Sequence, residues 1–76
     1  MSKFFRLDEV AEGQLCEIVS IDDERISQDI GAYKGMSVVI LKKAIQSIVQ
    51  FGYSQIEIEK EILNKITVQT VNLGTV

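Results

Sequence analysis

Apolar and polar residues alternate with a period of two over several short stretches, and that period predicts strands whose side chains point to opposite faces of a sheet. Residues 14–21 form the first, with Leu15, Val19 and Ile21 on one side and Cys16 and Ile18 on the other. Residues 36–43 form the second, with Val38 and Ile40 opposite Val39 and Leu41. A third strand after Ala44 carries Val49 and Phe51, residues 52–55 read as a turn, and Ile56 and Ile58 resume the alternation on a fourth strand. Ile66, Val68 and Val71 belong to a fifth.

Between these runs the period changes. Leu7 and Val10, three apart and followed by Gly13, predict one turn ending where positive φ is tolerated. The acids Asp22, Asp23 and Glu24 favour a helix start, Ile26 and Ile30 give that helix a buried face, and Gly31 caps its end. Gly35 then closes a tight loop. Residues 59–65 predict one further helical turn.

Five strands with tight connections predict a mainly β fold: a small SH3-like five-stranded barrel with one or two short single-turn helices, since curling removes exposed edges and gives the apolar faces one interior. The expected interior is Ile18, Ile26, Ile30, Val38, Ile40, Val49, Phe51, Ile56, Ile58, Leu63, Ile66 and Val68. At 76 residues the chain has room for one core, so residues 1–76 are expected to be one domain with its core over 7–71 and a flexible tail at 72–76.

Composition narrows the function. With 46% apolar and 25% charged residues and no proline, the chain is expected to be an ordered, soluble module. The net charge of −3 and the scatter of its eight Lys and Arg, of which only Lys42 and Lys43 are adjacent, argue against phosphate-backbone binding and hence against a nucleic-acid partner. No histidine is available as a catalytic base, so the expected class is a binding module and not an enzyme. Cys16 is the only cysteine; it reads as a buried packing thiol, and the chain offers no zinc cage and no evident cofactor site. The reducing cytoplasm is the expected compartment. No stretch approaches the ~20 apolar residues that span a bilayer, and no signal peptide is evident, so direct membrane insertion is not expected.

Several features could carry contacts. Tyr33 sits between Gly31 and Gly35, where an aromatic on a constrained loop offers large area at low entropic cost. Glu57, Glu59 and Glu61 alternate and read either as a solvated face or as an acidic strip for a basic partner. Val39 and Leu41 are apolar where a strand would face solvent; they either cover a partner or a second copy in a weak homo-oligomer, or pack under Phe4 or Phe5. Asp22, Asp23 and Glu24 lack the spacing of a calcium loop and read as a helix start.

The order of motifs resembles the FeoA family of bacterial ferrous-iron uptake. The resemblance runs from about residue 7 to 68: Leu7-x-x-Val10-x-x-Gly13, a strand to Ile21, the amphipathic turn from Arg25 to Ile30, Gly31-x-x-x-Gly35, Val38-x-Ile40, Ile58 before a polar turn, and Ile66-Thr67-Val68. Ser27 and Gln28 stand where the family carries leucines, and Glu59 where it usually has arginine. The resemblance implies an SH3-like barrel that binds and modulates the cytoplasmic part of the GTPase-bearing transporter FeoB. It puts the partner surface at Arg25, Gln28, Gly31, Ala32, Tyr33, Lys34 and Gly35. The same barrel ends certain metal-responsive repressors; with no DNA-binding segment ahead of it here, a stand-alone accessory protein is the expectation. Alternatives are a small RNA-binding or translation-type barrel and a direct ferrous-iron binder.

Overall fold

A computed structural model describes residues 3–71, so the expectation for 72–76 lies outside the described residues. In chain order the elements are β1 (Phe4–Arg6), a 3-10 helix (Leu7–Glu9), β2 (Cys16–Ile21), α1 (Glu24–Ile30), β3 (Ser37–Lys42), β4 (Gln46–Phe51), β5 (Ser54–Glu59), α2 (Lys60–Leu63) and β6 (Ile66–Thr70). The fold is mainly β, as the alternation predicts. Among the described residues the strands number six and not five. The added one, β1, pairs Phe5 with Val68 of β6 and packs Phe5 against the core while Phe4 stays exposed. Three residues are too few for a period to show, so β1 is held by its neighbour's backbone and was not visible as a pattern.

All neighbours are antiparallel, in the order β1-β6-β2-β3-β4-β5. Among the described residues no hydrogen bonds close this sheet, and β1 and β5 are its edges. It must nonetheless curl. In a flat sheet β5 and β6 would lie about 19 Å apart, four spacings of ~4.8 Å. The link over residues 60–65 is mostly the single turn of α2, which advances only ~1.5 Å per residue. Two bulges supply the bend: the register slips between Ile18 and Ser20 on β2 and between Ile40 and Lys42 on β3. Leu41 stands at the second slip and is 42% exposed, while Val39 is half-buried. In the strand order β6 and β2 stand between β1 and β3, so the N-terminal strand does not pair with the strand that carries them.

The core gathers Ile18, Val38, Ile40, Val49, Phe51, Ile58, Leu63, Ile66 and Val68 as expected, with Ile30 and Ile56 packed half-buried against it. Ile26 is a correction: it is half-buried on α1, a helix with no buried residue, so it lies at the periphery and not in the interior. Cys16 is buried as its packing role predicts, and three residues outside the expected interior belong to it: Leu7, Val10 and Ala32. Leu7 and Val10 come from the turn after β1, where α2 packs on the 3-10 helix and Asn64 donates to Asp8 at 3.3 Å. Burying a side chain such as Leu7 contributes ~1.5–3 kcal/mol, a large share of so small a domain's stability.

Candidate functional site

α1 begins at an aspartate cap. The Asp23 side chain accepts from the Arg25 N–H at 2.9 Å, and that hydrogen bond, ahead of the nearby Arg25 charge, holds its carboxyl below the usual aspartate range. Asp22 instead pairs with Arg6 at 3.0 Å, so both aspartates of the acidic run are committed to structure. The helix ends at Gly31, whose φ of 69° is left-handed and which donates to the Ser27 carbonyl, as the sequence predicts. Ala32 then turns inward. It is 1% exposed, its N–H donates to Ser27 O at 3.1 Å, and its carbonyl accepts from the Ser27 hydroxyl.

Past Ala32, Tyr33 to Met36 make a β-turn: Met36 N–H donates to Tyr33 O at 3.1 Å, with Gly35 third at φ 90°, the type II pattern that requires glycine there. The turn is clamped to β2. Gly35 N–H donates to Ile18 O at 2.8 Å and Ile18 N–H to Met36 O at 2.9 Å. Buried Ala32 on one side and this clamp on the other fix the loop, so Tyr33 is displayed from a constrained frame at 62% exposure.

The β4–β5 hairpin faces that frame. Its two-residue loop has Gly52 first, at φ 58°, and Tyr53 second, the arrangement of a type II′ turn whose twist suits a hairpin. Gly52 N–H donates to Ser37 O at 2.9 Å, and the space beside Gly52 holds the Met36 side chain, whose Cε lies 3.6 Å from where a Cβ would stand. Tyr33 and Tyr53 consequently line one depression of about 520 Å³, with Met36, Phe51 and the two glycines between them. Tyr53 is fully exposed.

Of the residues singled out in the sequence, Tyr33 and Gly35 line this groove and Lys34 stands exposed between them. Arg25 and Gln28 are exposed on α1, outside the groove lining, with Arg25 3.5 Å from Asp23. Gly31 serves as the helix cap. Ala32 is corrected: it lies in the core and presents nothing to a partner, because the chain must dip inward to anchor the loop. Tyr53 was missed. The signal existed in the pairing of β3 with β4, which carries Gly52 to Ser37 and so the hairpin tip to the loop.

Cys16 is buried, with its Sγ 3.6 Å from Gln14 O, and burial raises its thiol above the ordinary value. Among the described residues no three His, Cys, Asp or Glu side chains group to hold a metal ion, and no helix is long and apolar enough to cross a membrane.

No family model matches the sequence, and no curated protein matches it. Solved structures do. The chain is similar over its full length to a FeoA-like protein from Clostridium acetobutylicum, with a TM-score of 0.84, 20% identity and 100% of this chain and 96% of that one covered. It is similar to the crystal structure of an iron uptake regulatory protein (FeoA), with a TM-score of 0.79, 18% identity and 91% and 99% covered. A FeoA protein from Chlorobium tepidum gives a TM-score of 0.78 and 21% identity over 90% of this chain and 71% of that one. The fold is therefore the FeoA-like one.

Proposed function

We propose that this chain is a non-enzymatic accessory protein of ferrous-iron uptake that binds the cytoplasmic part of a FeoB-type GTPase transporter and modulates it. The observation that carries the reading is the FeoA-like fold over the whole chain, spanning 96% of the Clostridium acetobutylicum relative's length. The groove supports it further. Two tyrosines on short glycine turns offer broad, amphipathic contact area with few rotors to freeze. Lys34, exposed between Tyr33 and Gly35, adds positive charge beside them. A partner segment seated between Tyr33 and Tyr53 modulates the transporter if it is presented in one of its states more than in another, because the equilibrium then shifts toward the bound state.

Ala32 leaves the proposed contact set, and Tyr53 and Met36 join it. The test is co-purification with the FeoB-type transporter of the same organism, scored for wild type, Tyr33→Phe, Tyr33→Ala and Tyr53→Ala. An aromatic anchor removed from an interface centre costs roughly 2 kcal/mol, about thirtyfold in affinity, whereas Tyr33→Phe keeps most of the area. Unaltered capture by both alanine variants would rule out this surface, and no capture by wild type would reject the transporter as partner.

A further inference from the structure

The second edge of the sheet is open along a strand that can take another. Phe51 and Ser54 flank the hairpin loop as a pair, and Val49↔Ile56 and Ser47↔Ile58 follow in register. In an antiparallel ladder hydrogen-bonded and non-bonded pairs alternate, so the N–H and C=O of Gln55 and Glu57 point away from β4. No other described backbone group bonds to them. The side chains on this edge are sorted by face. Ile56 and Ile58 point to the core side, Ile56 only half-buried, while Gln55, Glu57 and Glu59 are exposed on the other.

Among the described residues neither Glu57 nor Glu59 has an ion-pair partner. Their cross-strand partners are Ile48 and Gln46, neither β4 nor β5 contains a lysine or arginine, and both ion pairs among the described residues lie elsewhere. Ile48, Gln55, Ile56 and Glu57 line a depression of about 400 Å³ that wraps the edge. Acids on an edge strand deter pairing with a like strand, so a second copy meeting β5 to β5 would set carboxylates against carboxylates. The same acids favour a strand of opposite charge.

We propose that the β5 edge binds an extended partner segment in which basic side chains alternate with apolar ones. The added strand takes the free backbone groups of Gln55 and Glu57, lays its apolar residues beside Ile56 and sets Lys or Arg across from Glu57 and Glu59. This surface is separate from the tyrosine groove and does not rest on the iron-uptake reading.

The test uses the intact chain and a short capped peptide alternating lysine and valine. Two controls are a peptide of the same composition with the residues in pairs and an alternating peptide N-methylated on its edge-facing amides. The expected result is saturable binding by fluorescence anisotropy, with backbone NMR shifts centred on Gln55 and Glu57. Both controls bind at least about tenfold more weakly, and Glu57→Lys/Glu59→Lys loses a similar factor while gaining affinity for an alternating glutamate-valine peptide. No binding, equal binding of either control, indifference to the charge reversal in a variant with wild-type circular dichroism, or shifts centred on Tyr33 and Tyr53 would each overturn the proposal.

Discussion

Replacing Gly35 by alanine isolates the backbone geometry that displays Tyr33. Its φ of 90° lies in the region that costs a residue with a Cβ about 1–2 kcal/mol. A Cβ built there meets nothing within 4 Å, so the whole penalty is conformational, with no clash added and no cavity opened. A domain of this size has a stability of ~4–11 kcal/mol at ~0.05–0.15 kcal/mol per residue. With a urea m-value near 1 kcal/mol/M, Gly35→Ala lowers the midpoint by about 1–2 M without changing the slope. Gly35→Asn loses less, because asparagine enters the left-handed region more readily. The turn also holds the Gly35 N–H on Ile18 O, so hydrogen exchange at Gly35 and Met36 quickens in the alanine variant. An unchanged midpoint for Gly35→Ala would refute the type II turn and, with it, the rigid presentation of Tyr33.

Leu7→Ala, at a fully buried site, costs ~2–5 kcal/mol and drops the thermal midpoint steeply by circular dichroism; a change below 1 kcal/mol would remove Leu7 from the core. Ala32→Asp places a carboxylate in that core and leaves the chain largely unfolded in an NMR spectrum, whereas Lys34→Asp leaves it folded. Cys16 reacts with thiol reagents at neutral pH far more slowly in the native chain than in urea, since burial favours the neutral thiol. A folded pKa above the ordinary value means its contribution to stability is present below the ordinary thiol pKa and fades as pH rises through the folded one. Asp23 runs the other way. Its lowered pKa means its stabilisation of α1 holds above the ordinary aspartate pKa and is lost as pH falls through the folded one, which the Arg25 amide shift reports.

Most of the fold was legible because alternation is a direct readout of a sheet with one buried face. Val38, Ile40, Val49 and Phe51 follow it, and the turn glycines announced themselves at Gly31 and Gly35, where left-handed φ excludes most residues. What escaped depends on contacts between distant segments. Leu7 and Val10 are spaced like a surface turn, and only the return of α2 over the 3-10 helix buries them. The slips beside Val19 and Leu41 change which face each residue takes, so local period could not assign them. Ala32 resembles any small loop residue until the chain's inward dip is seen. Tyr33 was visible as a candidate from its glycine frame, while its partner Tyr53 emerges only when β3 and β4 are paired and the hairpin tip meets the loop.

The claim that loop and hairpin form one docking surface is tested most directly by an amide NMR titration of the labelled chain with the cytoplasmic GTPase domain of the FeoB-type transporter. Shifts or broadening that converge on Tyr33, Gly35, Met36, Gly52 and Tyr53, and leave the β5 edge unmoved, are the predicted result. Saturable binding whose perturbed residues avoid both glycine turns would contradict it.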